Sequence, residues 1–366
     1  MDKIDKLKIS VYAICKNEEK FVNRWLDSMS EADEIYVTDT GSSDNTVNLL
    51  KEAGVKVQSI ALDQWRFDKA RNISLDFVDD DTDICVCTDL DEVFEKGWRE
   101  KLEKAWQKGK TTRVRYNYTW SFKKDGTPDV TFILDKIHSR HGYKWVHPVH
   151  EILRYEGDAE VFAGTDIQIN HYPDDTKSRG QYLPLLELSV KEEPNDDRNV
   201  HYLGREYLFY GKWDKCIETL KYHLSLPKAT WLDERCASMR FIARAYKAKG
   251  DFYNASLWLY RAIAEAPYLR EPYVETAYLA YLEQNWEKVY FMVGEALKIK
   301  HKPQSYINEG FCWDSTVYDL GAIAAYHLRI YQKALSFAEK AYEMNPKDER
   351  LKQNVEIIKN ALENSK

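Results

Sequence analysis

The chain divides into two parts by the spacing of its apolar residues. Up to about residue 175, short apolar stretches alternate with longer stretches in which apolar residues recur at helical spacing. The pattern predicts strands at 8–15, 34–38, 55–60 and 83–88, and helices at 18–30, 44–53 and 68–78. This alternation predicts βαβ units and a mostly parallel sheet, an architecture whose ligands bind beyond the carboxyl ends of the strands.

After about residue 195 the strand pattern disappears and helical stretches recur with internal similarity. Four segments align, each with an aromatic residue ahead of a helix and a proline about 15 residues later. The aromatic residues are Trp213, Phe252, Trp286 and Tyr331, and the prolines are Pro227, Pro267, Pro303 and Pro346. The aromatic residues lie 39, 34 and 45 residues apart, which resembles tetratricopeptide repeats with their period of about 34. We predict three to four such repeats, with a plain helical bundle as the alternative.

This change of pattern predicts two domains. Residues 1–178 would form an α/β domain with a Rossmann-like, mostly parallel sheet, and residues 179–366 an all-α repeat domain. The length of 366 residues agrees with two domains, and the hydrophobic fraction of 44% is typical of globular proteins. No apolar run approaches the roughly 20 residues of a membrane helix, so we expect no integral membrane segment.

The net charge and the cysteine pattern limit the classes of binding partner and the cellular compartment that we expect. The 53 basic and 60 acidic residues leave a net charge of −7, which argues against a general nucleic-acid binder because no basic excess can neutralise phosphates. Residues 1–8 are charged, lack a secretory signal and lead into a strand, which predicts a cytoplasmic protein. The six cysteines are scattered without a CxxC pair, so we interpret them as reduced, structural thiols.

The most informative segment is the carboxylate-rich end of the predicted strand at 83–88, with the sequence DICVCTDLDEVF. Asp89 and Asp91 are two residues apart, so in extended backbone they share a face. Two carboxylates held together repel unless a cation lies between them. Mg²⁺ and Mn²⁺ accept such oxygen ligands and leave positions for substrate phosphates. The alternative is an acidic turn without a ligand.

Two further segments place polar groups at the same predicted edge. In VTDTGSSDNT a strand ends at Thr38, and the carboxylate of Asp39 could accept hydrogen bonds from a base or a ribose. A capped turn into a helix explains Gly41 and Asp44 but not this carboxylate. In FDKARN, Arg71 has no acidic partner at i−4, which suits phosphate or base recognition, with a solvated helix charge as the alternative.

The order of four segments, KISVYAICKNEE, VTDTGSSDNT, FDKARN and CTDLDE, resembles the amino-terminal half of family 2 glycosyltransferases of the GT-A fold. The resemblance covers roughly residues 8–175 and implies sugar transfer from a nucleotide-sugar donor, most commonly a UDP-sugar, with inversion at the anomeric carbon. It implies that Glu18, Asp39 and Arg71 line the nucleotide pocket. It also implies that Asp89 contacts the ribose or the metal, and that Asp91 is the main protein ligand of Mn²⁺ or Mg²⁺ on the diphosphate. The absence of GxxxxGK[ST] and GxGxxG argues against P-loop and dinucleotide-binding alternatives.

An inverting transfer needs a general base to take the proton of the acceptor. In the segment YKWVHPVHEIL, His150-Glu151 occupies the position where the family carries an acidic pair, and it resembles the VHE of members with tetratricopeptide repeats. We predict Glu151 as the base with His150 beside it, and His150 is the alternative base near neutral pH. In IQINHYP, His171 ends a strand, and the resemblance implies a metal ligand, with a packed or capping histidine as the alternative.

The aromatic residues and further histidines of this half have weaker interpretations. Tyr116, Tyr118 and Trp120 alternate along a predicted hairpin, which favours sheet packing over contacts to an acceptor. Trp145 is the better candidate for stacking on a sugar. The spacing H-x₂-H occurs twice within 138–150 and could suggest zinc, but no cysteine joins these histidines.

The favoured hypothesis is a cytoplasmic, metal-dependent, inverting glycosyltransferase whose helical repeats bind partners or mediate self-association. A peptide, protein or glycan acceptor is expected, a lipid-linked or polysaccharide acceptor stays open, and a homodimer through the repeats is a further expectation. The alternative from another class is a scaffold that binds a nucleotide sugar without turnover while its repeats bind partners. A nucleotidyltransferase is disfavoured because its glycine-rich, basic amino-terminal loop is missing.

Overall fold

The structure, a computed structural model, describes residues 6–123, 125–174 and 180–365. It divides into two compact units. The first comprises Met1–Ser189 with Gln304–Tyr306, and the second comprises Val190–Pro303 with Ile307–Lys366. The division falls after the boundary predicted at 178/179, because most of the helix that begins at Tyr182 packs with the first unit.

The first unit contains ten strands and five helices among its described residues. The strands are β1 (Ile9–Cys15), β2 (Glu34–Asp39), β3 (Lys56–Ser59), β4 (Ile84–Cys87), β5 (Glu92–Phe94), β6 (Arg113–Phe122), β7 (Pro128–Ser139), β8 (Tyr143–Val146), β9 (Ile152–Tyr155) and β10 (Phe162–His171). The helices are α1 (Glu19–Met29), α2 (Thr46–Glu52), α3 (Phe67–Asp76), α4 (Trp98–Ala105) and α5 (Tyr182–Glu192). The strands and helices predicted up to residue 88 are all present, with ends that differ by at most two residues.

Eight of these strands form one mixed sheet in the order β3-β2-β1-β4-β7-β6-β10-β5, and β8 pairs with β9 separately. Strands β3, β2, β1 and β4 are parallel neighbours, which confirms the predicted βαβ half. Strand β7 is antiparallel to both β4 and β6, and β10 is parallel to β6 and antiparallel to β5. The carboxyl ends of β1, β2 and β4 therefore meet at one edge, where a ligand is expected.

The apolar faces of the first unit explain why its elements share a core. Helix α1 buries Phe21, Val22, Trp25 and Met29, which recur at helical spacing. Strand β1 is buried on both faces, as expected for a central parallel strand. The indole Nε1 of Trp25 donates to Thr88 Oγ1 at 3.0 Å and so fixes α1 beside the end of β4. All six cysteines of the chain are buried and free.

The second unit contains nine α-helices among its described residues. They are α6 (Asp197–Phe209), α7 (Trp213–Ser225), α8 (Leu232–Ala248), α9 (Phe252–Glu265), α10 (Glu271–Leu282), α11 (Trp286–Lys298), α12 (Thr316–His327), α13 (Tyr331–Met344) and α14 (Glu349–Glu363). Helices α7, α9, α11 and α13 begin at the four aromatic residues that the repeat pattern placed there. The predicted all-α half is thereby confirmed. None of the described helices is both long enough and apolar enough to cross a lipid bilayer.

Two backbone features set the packing of these helices. Gly204 in α6 faces α7, where an added Cβ would lie 2.4 Å from the side chain of Leu220, so glycine permits close approach of the two helices. A residue with left-handed backbone also stands two positions before each of α7, α9, α11 and α13. These residues are Gly211 (φ 67°), Gly250 (φ 78°), Gln284 (φ 55°) and Arg329 (φ 61°).

Candidate active site

The carboxyl end of β4 carries a network of charged side chains centred on Arg71. This arginine comes from α3 and is buried, and its Nη2 donates to Asp89 Oδ1 at 2.7 Å. Its Nε donates to Glu151 Oε1 at 2.5 Å, and its Nη1 contacts Cys87 Sγ at 3.3 Å. Arg71 therefore joins the strand end that carries Asp89 to the loop that carries Glu151, and it brings two predicted site residues together.

A second cation, Lys136 on β7, completes this network. Its Nζ donates to Asp89 Oδ2 at 3.2 Å and to Glu92 Oε1 at 3.0 Å. The same Glu92 oxygen accepts a hydrogen bond from the hydroxyl of Tyr118 at 2.9 Å, and Glu92 Oε2 accepts one from the backbone N–H of Asp89. Sequence reasoning missed Lys136, and the available signal was a single cation within the apolar segment FILDKIHS.

Burial and charge act in opposite directions on these groups. Burial by itself would raise the pKa of Asp89, but Arg71 and Lys136 outweigh it and hold that pKa well below its ordinary value. Burial by itself would lower the pKa of Lys136, but Asp89 and Glu92 raise it well above its ordinary value. For Glu92, burial dominates and raises the pKa. Asp89 and Lys136 are thus fixed in their charged forms.

These contacts add partners that the sequence did not reveal. Arg71 has no acidic residue at i−4, but it pairs with Asp89 and Glu151, which are distant in sequence. Each carboxylate oxygen of Asp89 accepts a hydrogen bond from a cationic side chain. The mutual repulsion of the acids after β4 is relieved by Arg71 and Lys136.

The remaining carboxylate of this segment, Asp91, lies beside the predicted histidine. His171 Nε2 is 3.4 Å from Asp91 Oδ2, and the backbone N–H of Tyr172 donates to the Asp91 carbonyl at 2.9 Å. His171 Nδ1 lies 3.1 Å from the Trp120 carbonyl, which can only accept, so Nδ1 carries a proton. Burial would lower the pKa of His171, but Asp91 raises it above its ordinary value. Asp91 and His171 together form a mixed carboxylate and imidazole pair.

Helix α3 also positions the loop that carries His150 and Glu151. The side-chain amide of Asn72 donates to the Trp145 carbonyl at 2.8 Å, and its oxygen accepts from the Trp145 N–H at 2.9 Å. The N–H of Phe67 donates to the Pro148 carbonyl at 2.9 Å. These contacts hold the hairpin of β8 and β9 against α3. The run ARN therefore supplies both the arginine of the network and the amide that fixes Glu151 beside it.

Two predicted nucleotide-pocket residues lie where the chain leaves β1 and β2, and the loops that follow these strands hydrogen-bond to each other. Asp39 is buried, and its carboxylate accepts from the N–H groups of Gly41 and Ser42 at 3.1 and 3.0 Å. Asn17 accepts from the N–H of Ser43 at 2.7 Å. Glu18 is half-buried directly before α1. Asp39 therefore shapes the turn after β2 at the same edge as the charged network.

The structure differs from the sequence expectations for two tryptophans, of which one is buried and the other is exposed. Trp145 is only 2% exposed and its indole donates to the hydroxyl of Tyr12, so the expectation that it stacks on a sugar is wrong. Tyr116 and Tyr118 are buried in the sheet as expected. Trp120 instead is 49% exposed, and its ring stacks on His171 with centroids 4.4 Å apart.

The first H-x₂-H pair is accounted for by hydrogen bonds. His138 is buried, and its Nε2 lies 2.8 Å from the hydroxyl of Tyr12 while its Nδ1 lies 2.7 Å from the Ser139 carbonyl. Burial lowers the pKa of His138 to about 3, so the ring is neutral. His141 is exposed and lies 3.2 Å from the Asp80 carbonyl. These contacts favour a structural role over zinc binding.

Comparison with known proteins identifies the class of the sheet domain. Residues 10–151 match the family model described as glycosyl transferase family 2. This stretch of the chain therefore matches a family 2 glycosyltransferase domain, in agreement with the motif order in the sequence. It contains all the predicted site residues except His171, which follows it on β10.

Individual proteins that resemble the chain cover between 27% and 49% of it. The lipopolysaccharide core biosynthesis glycosyltransferase LpsC of Rhizobium meliloti (strain 1021) is 30% identical over 103 residues, which are 27% of this chain and 37% of LpsC. The chain thus matches little more than a third of that relative's length. Among solved structures, MamA is 18% identical with a TM-score of 0.37, covering 45% of this chain and 87% of MamA. A thermophilic TPR protein of Thermus thermophilus is 21% identical with a TM-score of 0.34, covering 49% of this chain and 88% of that protein.

Proposed function

We propose that this protein is a metal-dependent, inverting glycosyltransferase that moves a sugar from a nucleotide-sugar donor, with a UDP-sugar favoured, to a peptide, protein or glycan acceptor. The observation that supports the proposal is the pair of Asp91, which follows β4, and His171, together with Arg71 holding both Asp89 and Glu151 in a stretch that matches the family 2 glycosyltransferase model. The edge at the carboxyl end of β4 is where a mixed sheet of this type receives its ligand. The six buried, free thiols support a reducing compartment such as the cytoplasm.

The chemistry of the donor set fits a divalent cation at Asp91 and His171. Asp91 offers a carboxylate oxygen and His171 offers Nε2, and the two atoms lie 3.4 Å apart. The Nδ1–H of His171 is held by the Trp120 carbonyl, an arrangement that directs the Nε2 lone pair of the neutral ring toward a metal. An imidazole beside a carboxylate suits Mn²⁺ better than Mg²⁺. When bound, such a cation would neutralise the charge that develops on the departing diphosphate.

Glu151 is the side chain that we assign as general base. Arg71 holds its Oε1, while Oε2 accepts no hydrogen bond within the part of the chain that the structure describes. A carboxylate fixed through one oxygen can present the other to the hydroxyl or thiol proton of an acceptor. Arg71 itself is buried and paired with Asp89 and Glu151, so its role in this proposal is to position these carboxylates.

The proposal is tested by measuring donor turnover with a panel of nucleotide sugars, with and without Mn²⁺, and with peptide and oligosaccharide acceptors. We expect Mn²⁺-dependent turnover that falls at least about a hundredfold in Asp91→Asn and in Glu151→Gln. Asp158→Asn and Glu156→Gln are matched controls, because both residues are exposed and their side chains make no hydrogen bond or ion pair in the described part of the chain. NMR of the product should show an anomeric configuration opposite to that of the donor.

Two outcomes would contradict the assignments. Donor binding without turnover under all conditions would support the scaffold that binds a nucleotide sugar. Turnover of Glu151→Gln near the wild-type rate would remove Glu151 as the base and leave His150 as the candidate.

A further inference from the structure

A second group of potential metal ligands lies entirely within the helical unit, away from the sequence of the glycosyltransferase domain. His201 on α6, His223 on α7 and Glu234 on α8 each offer one ligand atom, and these atoms lie within 4.8 Å of one another. Both imidazoles are fully buried and Glu234 is 5% exposed. The group therefore joins three consecutive helices in the interior of one unit.

Ser238 orients both imidazoles of this group. Its Oγ lies 2.7 Å from His201 Nδ1 and 3.0 Å from His223 Nδ1. A hydroxyl oxygen has two lone pairs, so Ser238 can accept an N–H from each ring at once. Metal-binding histidines commonly donate their second ring N–H to such a partner, which fixes the tautomer and the orientation of the ring.

The opposite ring nitrogens are the second observation that points to a ligand. Neither His201 Nε2 nor His223 Nε2 makes a hydrogen bond in the described part of the chain, although both rings are fully buried. His223 Nε2 lies 3.3 Å from Glu234 Oε1, near but without hydrogen-bond geometry. Buried polar atoms without a hydrogen bond are costly, and each calls for an explanation such as a bound ion.

We propose that His201, His223 and Glu234 bind a divalent transition-metal ion, for which zinc is the probe, with Ser238 as the shared acceptor behind both imidazoles. Two imidazole nitrogens and one carboxylate oxygen are a known zinc ligand set that leaves one position to water or another group. The ion would satisfy both Nε2 atoms and tie α6, α7 and α8 together. This site is separate from Asp91 and His171, so it stands or falls independently of the proposed transferase activity.

The test uses full-length protein carrying Asp91→Asn, which removes the candidate catalytic ligand as a source of metal binding. The protein is stripped with EDTA and titrated with ZnCl₂ by calorimetry, and Co²⁺ uptake is followed by its visible absorption. We expect about one equivalent of tightly bound zinc per chain, together with a rise in melting temperature on zinc addition. Strong visible bands from Co²⁺ would indicate low-coordinate nitrogen and oxygen ligation.

Variants in the same background assign the site. His223→Gln should abolish the zinc equivalent, and Ser238→Ala should weaken zinc affinity by about 10–100-fold through loss of the shared acceptor. His301→Gln is the matched control, because His301 is an exposed histidine of the same unit and should leave zinc binding unchanged. Absence of zinc and Co²⁺ binding to the stripped Asp91→Asn protein would overturn the proposal. It would also be overturned by zinc uptake that His223→Gln leaves unchanged in protein whose circular dichroism is native.

Discussion

Four charged side chains at the end of β4 show how a partly buried acidic cluster is tolerated. Asp89 and Glu92 would repel each other in a desolvated strand end, and Arg71 and Lys136 neutralise them. The cations come from α3 and from β7, which adjoins β4 in the sheet. Asp91 lies between Asp89 and Glu92 in the sequence, and its carboxylate is beside His171. Neighbouring carboxylates of one segment therefore have different partners: Asp89 and Glu92 pair with cations, whereas Asp91 lies beside a histidine.

Replacing Lys136 by methionine should destabilise the protein by about 3–5 kcal/mol, because it leaves the buried Glu92 carboxylate without its cation. Urea unfolding followed by fluorescence measures this loss. Adding Glu92→Gln to Lys136→Met should recover part of it, since the unpaired charge is then removed. Lys144→Met, at an exposed lysine of β8, is the matched control and should change stability by less than about 0.5 kcal/mol. A small effect of Lys136→Met would show that the ion pair is not needed for folding.

Trp120 is expected to contact substrate, given the proposed transferase activity. Its exposed ring stacks on His171, which adjoins Asp91, so a sugar approaching the metal would meet its face. Trp120→Ala should raise the KM for donor or acceptor about tenfold with little change in kcat, as expected for the loss of one aromatic contact. Steady-state kinetics with each substrate varied in turn measure this. Ile133→Ala, at an exposed apolar residue on the adjacent β7, should leave both KM values unchanged.

Sequence reasoning at this scale succeeded where the information was local. The end of β4 and the acidic residues after it can be predicted from the segment DICVCTDLDE alone. The same segment predicts that these acidic residues lie at an edge of the sheet. Lys136 was out of reach because β4 and β7 are paired across a long separation in sequence. The alternating pattern also could not show that Trp120 is exposed while Tyr116 and Tyr118 are buried. Alternation assigns all three residues to one face of the strand, but it does not show how far along the strand that face is buried by other residues.

Among the elements, four helices of the second unit follow turns with the same left-handed backbone position, but only two of the four turns have glycine there. The turns before α7, α9, α11 and α13 all require a left-handed residue at the same position. The first two turns use Gly211 and Gly250, for which this conformation is accessible without a steric penalty. The other two use Gln284 and Arg329, whose Cβ atoms make the conformation unfavourable by roughly 1–2 kcal/mol. The helices beyond these turns still form, so packing of their apolar faces outweighs the local strain.

Arg329→Gly should therefore stabilise the protein, by about 0.5 kcal/mol after the greater flexibility of glycine in the unfolded chain is counted. Gly250→Ala is the reciprocal change and should destabilise by about 1 kcal/mol. An added Cβ at Gly250 meets no atom within 4 Å, so the loss would come from the backbone alone. Chemical denaturation of both variants beside wild type measures the pair. The same sign of change for both would refute the role assigned to the turn.

The elements themselves were the most predictable level of this structure. Periodicity placed the first strands and helices within two residues, and the aromatic residues marked the first residue of four helices. The antiparallel insertion of β7 between β4 and β6 was not predicted, although the hairpin itself was. Hairpin formation depends on residues close in sequence, whereas the place of a hairpin in a sheet depends on distant edges that local patterns do not describe.

On the scale of the whole molecule, each unit has its own apolar core and its own buried ion network. In the helical unit, Arg240 and Arg244 of α8 both donate to Glu275 of α10 and to Glu309. Burial by itself would raise the pKa of Glu275, but the two arginines outweigh it and lower the pKa to about 2. The network ties helices that are not consecutive in the chain.

The stability of the chain should depend on pH through Glu275. Its folded pKa is below the ordinary value of 4.5, so its contribution is complete above about pH 5 and is lost as the pH falls toward 2. Glu275→Gln should cost about 3 kcal/mol near pH 7, because both arginines keep their buried charge. The difference from wild type should shrink between about pH 5 and pH 3, as measured by urea unfolding at each pH. Glu287→Gln, at an exposed glutamate of α11, should show no such trend. A pH-independent difference would exclude the ion pairs as its cause.

The side-chain amide of Asn72 hydrogen-bonds to both the N–H and the carbonyl of Trp145, and the N–H of Phe67 bonds to the Pro148 carbonyl, so the segment that leads to Glu151 is attached to α3. For an engineer, this attachment separates the support of the loop from its sequence. Residues between Val146 and His150 could be varied to change acceptor preference, provided that His150 and Glu151 are kept, because Glu151 is the assigned base and the partner of Arg71.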